Sequence, residues 1–188
     1  VGPNVNTVLV RENNELRMAL DFRERSKFKL VPARIISRDS STWWNTVRIN
    51  RGFEDGVEAE QPVLTDAGVV GKTTSVSKNE ANVVLVTDET CKIGAKVDGS
   101  REQGIVSGRR VQENSTDAVL FLNFLSKNAK IEPGQTVVTA GVVHGTFPAG
   151  LPIGKVREFK RNALDGQAIL EPAVNISATQ DVFVLVGK

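Results

Sequence analysis

The feature that most constrains the fold is an ordered set of strand patterns that the sequence contains twice. In each copy a glycine turn precedes a short β-branched strand that ends in threonine, and a later strand opens with Gly-Lys. These strands are Pro62–Thr65 and Gly71–Val76 in the first copy, and Thr136–Thr139 and Gly154–Val156 in the second. Val and Thr favour a pleated, half-buried surface, and glycine supplies the turns.

The correspondence extends outward to six predicted strands in each copy, in the same order. The remaining strands are 33–38, 45–50, 82–87 and 93–97 in the first copy, and 104–109, 118–123, 167–171 and 181–186 in the second. The turn at Gly56 in the first copy is matched to the turn at Gly134 in the second. Self-similarity at this spacing predicts two related β-modules rather than one large sheet. We expect a mainly β fold of two six-stranded β-barrels, preceded by one N-terminal helix.

Polar, turn-rich residues 98–103 mark the predicted boundary between the modules. The domains expected from the sequence are an N-terminal helix or coiled coil at 1–31, a first barrel at 32–100 and a second barrel at 101–188. Barrels this small bury a limited core, so we expect the two to pack against each other. The C-terminal strand could complete either barrel, and exchange of strands between the barrels stays open.

The N-terminal segment has the spacing of a coiled-coil seam. Residues 7–29 lack Gly and Pro and are rich in helix formers. Leu9, Asn13, Leu16 and Leu20 are separated by four, three and four residues, which places them at alternating a and d positions. A single Asn at an a position is typical of a parallel two-stranded register. These four residues are the predicted dimerisation contacts, and the alternative is a helix packed on its own barrel.

The predicted dimer is weak if it depends on this segment alone. Burial of three leucines per chain contributes roughly 9–18 kcal/mol per dimer. Association itself costs about 4–15 kcal/mol before the side chains are ordered. The favourable and unfavourable free energies of association through the seam are therefore nearly equal, and preceding heptads would strengthen the dimer.

The sequence contains no recognisable catalytic, cofactor-binding or metal-binding set of residues. His144 is the single histidine, so a Ser-His-Asp triad would have to use it. Ser107 does not lie in the Gly-x-Ser-x-Gly pattern of a nucleophile elbow. Cys91, the single cysteine, is expected to be a small buried hydrophobic side chain. A net charge of +2 does not indicate a nucleic-acid-binding protein. The composition therefore predicts a binding or scaffolding role, with no enzyme activity and no cofactor.

Three aromatic side chains are candidates for a partner surface. Trp43 and Trp44 are adjacent and open a predicted strand, so one of them would face away from the core. Phe147 lies in a loop rich in Gly and Pro. The alternative interpretation is structural: the tryptophans would pack under a neighbouring loop, and Phe147 would be a wedge in the core.

Several motifs resemble those of the MreC family of rod-shape-determining proteins. They are Asp39–Gly52, Gly68–Lys72, Val84–Asp88, Gly104–Gly108 and, most specifically, Gly145–Val156 with its Phe-Pro-x-Gly-Leu-Pro pattern. The resemblance runs from about residue 8 to the C-terminus.

The resemblance implies a non-catalytic scaffold of the cell-elongation machinery, which organises peptidoglycan synthesis through protein contacts. Proteins of this family are anchored by one membrane span and have a coiled coil and two β-barrels outside the cytoplasm. The implied partners are a class-B penicillin-binding protein, an MreD-type membrane protein and further copies of the chain, as a homodimer or higher assembly. The implied location is the extracytoplasmic face of the bacterial inner membrane, which is periplasmic in a diderm.

The chain begins with Val rather than Met, and we expect an excised fragment whose anchor lies outside it. In the proposed mechanism the coiled coil sets a two-fold arrangement, while edge strands and loops of the barrels contact partners. The alternatives are a periplasmic adaptor, a glycan-binding module that uses Trp43 or Trp44, and a two-barrel hydrolase.

Overall fold

The structure, a computed structural model, describes residues 6–14, 16, 28–110, 118–141 and 146–187. Residues 6–14 and 16 are helical, and twelve β-strands follow. The strands are β1 (Lys29–Arg38), β2 (Thr46–Ile49), β3 (Pro62–Leu64), β4 (Val69–Val76), β5 (Ala81–Leu85), β6 (Ile93–Val97), β7 (Gln103–Arg110), β8 (Ala118–Leu125), β9 (Thr136–Thr139), β10 (Pro152–Arg161), β11 (Gly166–Pro172) and β12 (Asp181–Gly187). No helix in the described part of the chain combines the length and apolarity needed to cross a bilayer.

The strands form two closed antiparallel barrels of six strands each, which confirms the predicted fold class. Around the first barrel the order is β1-β12-β3-β4-β5-β2, and around the second it is β10-β11-β8-β7-β6-β9. Closure leaves no free sheet edge on either barrel. The expectation that edge strands contact partners is therefore wrong for this fold, and partners must use loops or the outer faces of the strands.

The two rings are identical once each strand of the first copy is paired with the strand six places later. β1 corresponds to β7, β2 to β8, and so on, but β12 stands in the first barrel where β6 would be expected, and β6 stands in the second. The division at residue 100 is thus corrected, because Ile93–Val97 belongs to the second barrel and Asp181–Gly187 to the first. The second barrel is one continuous segment inserted into the first.

The N-terminal boundary of the first barrel also differs from the predicted one. β1 begins at Lys29, inside the segment predicted as helix up to residue 31. Pro32 favours extended backbone at the residue before it, and Leu30 and Ala33 are both buried in β1. Local geometry and packing both favour a strand there.

A pair of equivalent turns, 58–61 in the first copy and 132–135 in the second, shows the internal repeat at atomic detail. The Glu58 N–H donates to Gln61 Oε1 at 2.8 Å, and the Glu132 N–H donates to Gln135 Oε1 at 3.0 Å. The third residue of each turn has a positive φ, 62° at Glu60 and 92° at Gly134. The residue equivalent to Gly134 is therefore Glu60 and not Gly56, which corrects the match made from the glycines alone.

The glycine of each Gly-Lys pair is required by close backbone packing. A Cβ at Gly71 would lie 2.0 Å from the carbonyl oxygen of Val84, and one at Gly154 would lie 2.3 Å from that of Glu171. Each contact joins the fourth strand of a copy to its fifth. At both positions a side chain larger than glycine would therefore meet the same steric obstacle.

One hydrophobic core runs through both barrels. Most buried residues of the two barrels form one cluster, and it includes both segments that cross between them. Cys91 lies in the first crossover, between β5 and β6, and Val174 and Ile176 lie in the second, between β11 and β12. Cys91 is 0% exposed, as expected, and burial raises the pKa of its thiol to about 12. The barrels therefore pack as one body around a shared interior.

Candidate functional site

The predicted seam residues that the structure describes lie exposed on the N-terminal helix. Leu9 is 53% exposed and Leu16 is 55% exposed, and Asn13 is exposed with them. Leu20 lies outside the described residues. Neither leucine belongs to a hydrophobic cluster of the described residues, and more than half of each side chain is accessible to a second helix. Dimerisation through the seam stays a prediction.

Trp43 and Trp44 lie in the turn that precedes β2 rather than in the strand. Their rings are perpendicular, with centroids 5.8 Å apart, and both side chains are half-buried. The Thr87 hydroxyl donates to the Trp44 carbonyl at 2.6 Å, which ties this turn to the first crossover. A Cβ at Gly108 of the second barrel would lie 2.1 Å from the Thr87 backbone. The tryptophan turn therefore lies close to the junction of the barrels.

The loop with the Phe-Pro-x-Gly-Leu-Pro pattern is built into the same junction. Phe147 is 8% exposed and belongs to the shared core, which agrees with the wedge interpretation rather than with an exposed anchor. Leu151 packs against the shared core and also against a smaller cluster on the first barrel that contains Leu30 and Phe183. The Thr139 hydroxyl accepts the Leu151 N–H at 2.9 Å and donates to the Pro148 carbonyl. The most specific motif thus holds the two barrels together.

The junction continues at Gly68. A Cβ on this residue would lie 2.5 Å from the Pro152 carbonyl oxygen and 3.1 Å from the Ala173 side chain. Gly68 is in the β3–β4 turn of the first barrel, whereas Pro152 begins β10 of the second. Glycines in two of the recognised motifs, Gly68 and Gly108, therefore mark contacts between the barrels.

Arg38 fastens the second crossover to the first barrel. Its guanidinium nitrogens donate to the Ile176 carbonyl at 2.6 Å and to the Thr179 carbonyl at 2.8 Å. Burial lowers the pKa of Arg38 from its ordinary value. No pattern in the sequence marks this role of Arg38, because its partners are backbone carbonyls about 140 residues away.

Among the described residues of the second barrel, the two most exposed large apolar side chains lie at the end remote from the junction. Phe124 is 67% exposed, and Leu164 is 94% exposed. Leu125 is paired with Gly166 across β8 and β11, so Phe124 and the β10–β11 turn that carries Leu164 lie at one end of the barrel. Phe124 lies within β8 with a φ of 66°, where the register between β8 and β11 shifts, and no local signal in the sequence marks that irregularity.

Within the described residues, no three His, Cys, Asp or Glu side chains are grouped closely enough to hold a metal ion. His144 lies outside the described residues. The features that the structure does bring together are a shared core, a tied junction and exposed apolar side chains.

The family model described as rod shape-determining protein MreC, barrel core, matches residues 35–186. This chain belongs to the MreC family. The match includes both barrels and both crossovers, and it confirms the resemblance found in the sequence. MreC proteins are described as shape-determining, in agreement with a sequence that contains no recognisable catalytic set.

Curated MreC relatives match most of this chain. The cell shape-determining protein MreC of Listeria monocytogenes is 33% identical over 183 residues, which cover 94% of this chain and 60% of that protein. MreC of Haemophilus influenzae is 31% identical over 85% of this chain and 44% of that protein. The chain therefore spans about half the length of the curated relatives it matches.

Solved MreC structures share the fold. One of them superposes with a TM-score of 0.84 at 26% identity and covers 94% of this chain and 98% of that chain. MreC of Helicobacter pylori, solved in complex with a penicillin-binding protein, superposes with a TM-score of 0.68 at 18% identity, over 86% of this chain and 100% of that chain. A further structure, the major periplasmic domain of a cell shape-determining MreC filament, has a TM-score of 0.69 at 22% identity, over 83% of this chain and 96% of that chain.

Proposed function

We propose that this chain is a non-catalytic scaffold of the bacterial cell-elongation machinery, which organises peptidoglycan synthases through protein–protein contacts. The observation that carries the proposal is the interlocked pair of barrels in an MreC chain. Each sequence copy contributes its sixth strand to the barrel formed by the other copy, and one core runs through both barrels. Such a body holds its surfaces at fixed separations, as a scaffold requires.

The proposed partners are a class-B penicillin-binding protein and an MreD-type membrane protein. Support for the first comes from the Helicobacter pylori relative, which was solved in complex with a penicillin-binding protein. The contact surfaces available on this chain are loops and outer strand faces, because both barrels are closed. The Trp43–Trp44 turn is one candidate, and the end of the second barrel with Phe124 and Leu164 is the other.

The proposed assembly is a homodimer, or a higher assembly, at the outer face of the inner membrane. Exposed Leu9 and Leu16 support a helical seam between two copies. A relative whose solved domain is periplasmic supports the location. A membrane anchor would hold two copies on one surface and would raise the effective concentration at which their N-terminal helices meet.

A pull-down with the purified chain as bait tests this function. Cell-elongation proteins are expected to be captured, with a class-B penicillin-binding protein among them. Phe124→Ser is expected to weaken capture if the remote end of the second barrel makes the contact. Phe53→Ser is the matched control, because Phe53 is 60% exposed but lies on the first barrel. Capture of cell-wall glycan without any synthase would instead favour a glycan-binding module.

A further inference from the structure

The strand that closes the first barrel comes from the far end of the chain. β12 lies between β1 and β3, with Ala33 opposite Val182 and Val63 opposite Val184. Val182 is 1% exposed and Val184 is 0% exposed, so the strand is an integral part of the core. Without β12 the first barrel would be an open sheet with an empty slot between two unpaired edges.

Nothing in that slot distinguishes the chain's own β12 from the β12 of another copy. The pairing partners and the buried side chains would be the same in both cases. Exchange of an identical element is a low-cost route to a symmetric dimer. The chain already makes the equivalent exchange internally, since β6 and β12 each complete the ring of the other copy.

The difference between the two arrangements lies in the crossover, residues 173–180. A groove of about 280 Å³ separates part of it from β1 and is lined on the two sides by residues 35–38 and 177–180. Backbone pairing across this region includes the Ile35 N–H, which donates to the Gln180 carbonyl at 2.8 Å. Beyond this hydrogen bond, the guanidinium of Arg38 in β1 connects to the crossover through the Ile176 and Thr179 carbonyls.

We propose that a second copy of this chain can supply β12 to the first barrel, and that Arg38 is the clamp that keeps the strand in its own barrel. The clamp acts on the folded crossover, in which Ile176–Ala178 forms a 3-10 turn. A swapped strand requires this turn to unwind. Eight extended residues span at most about 26–29 Å, which sets the separation that a swapped strand can bridge. Two charge-assisted hydrogen bonds to the turn oppose that extension, in addition to the burial of Ile176 in the shared core.

A disulfide placed across β1 and β12 reports which chain supplies the strand. Arg34 and Asp181 are opposite each other in the pairing, and both side chains are exposed. The test protein is the complete 188-residue chain with Arg34→Cys and Asp181→Cys, refolded at low and at high concentration and then oxidised. An unswapped strand gives a cross-link within one chain, whereas a swapped strand gives a covalent dimer on a denaturing gel. Cys91 is buried and does not compete.

With Arg38 present, the gel is expected to show monomer. With Arg38→Met, the ratio of covalent dimer to monomer is expected to rise by at least about a hundredfold, because two hydrogen bonds to a charged group are lost and each accounts for at least a factor of about ten. It is also expected to increase with concentration during refolding. A dimer formed only through the N-terminal seam separates on the gel, so it does not interfere with the measurement.

Arg51→Met is the matched control. The Arg51 Nε also donates to a backbone carbonyl, that of Pro32 at 3.0 Å, but Pro32 is in β1 and not in the crossover. This control is expected to stay monomeric. If Arg38→Met does not fold, Arg38→Lys replaces it, since lysine keeps the charge without the planar fork that reaches both carbonyls. Monomer alone at every concentration in the Arg38 variant that folds would overturn the proposal.

Discussion

Substitution of Gly71 by alanine tests the steric reasoning at the internal repeat. The new Cβ would lie 2.0 Å from the Val84 carbonyl oxygen and 2.9 Å from the carbonyl carbon. Neither atom can move alone, because both belong to the β4–β5 ladder. Overpacking of a core costs about 1–3 kcal/mol and occasionally more, and a clash with backbone belongs at the upper end. We expect Gly71→Ala to lower the free energy of unfolding by about 3 kcal/mol.

The repeat predicts two companion results. Gly154→Ala should cost about as much as Gly71→Ala, because its Cβ would lie 2.3 Å from the Glu171 carbonyl oxygen. Gly134→Ala should cost only about 1–2 kcal/mol, because Gly134 has open space around it and loses only its positive φ of 92°. Urea denaturation of the three variants measures these differences. A free energy for Gly71→Ala within about 0.5 kcal/mol of the unsubstituted protein would refute the close-packing argument.

Two further predictions concern Cys91 and the helical seam. Because the folded-state pKa of Cys91 is raised from 9.0 to about 12, its stabilising contribution is complete below pH 9 and is lost as the pH rises towards 12. Cys91→Ala should flatten the fall in stability over that window in denaturation curves, and an unchanged slope would contradict the assignment. Leu16→Asp should abolish any concentration-dependent dimer seen by analytical ultracentrifugation, whereas Leu164→Asp, at an exposed leucine outside the seam, should not. A dimer that survives Leu16→Asp would remove the seam from the account.

The number and order of the strands could be predicted from the sequence because each strand carries a local pattern. Thr46–Ile49, for example, alternates exposed and buried residues as its sequence indicates. The exchange of β6 and β12 could not be predicted in this way. Both strands carry apolar patterns that suit a sixth position, and their pairing is decided by crossovers that fold against distant residues.

The candidate surfaces were less predictable than the fold. The sequence pattern predicts Trp43 and Trp44 at the start of a strand, but the preceding Asp39 favours a turn. Its carboxylate accepts hydrogen bonds from the Ser41 N–H and hydroxyl. That signal was present in the sequence. Exposure of Phe124 had no such signal, because alternation with buried Leu122 would turn its side chain inwards.

The most direct test of the interlocked scaffold is differential scanning calorimetry of two variants of the complete chain. Each variant has a single core substitution, in the first barrel or in the second. Leu85→Ala in β5 and Leu122→Ala in β8 each remove a side chain that is 0% exposed, at a cost of about 2–5 kcal/mol. A single body predicts one transition whose calorimetric and van't Hoff enthalpies agree, and both variants should shift it to lower temperature. Two transitions, each moved by only one of the substitutions, would contradict the account.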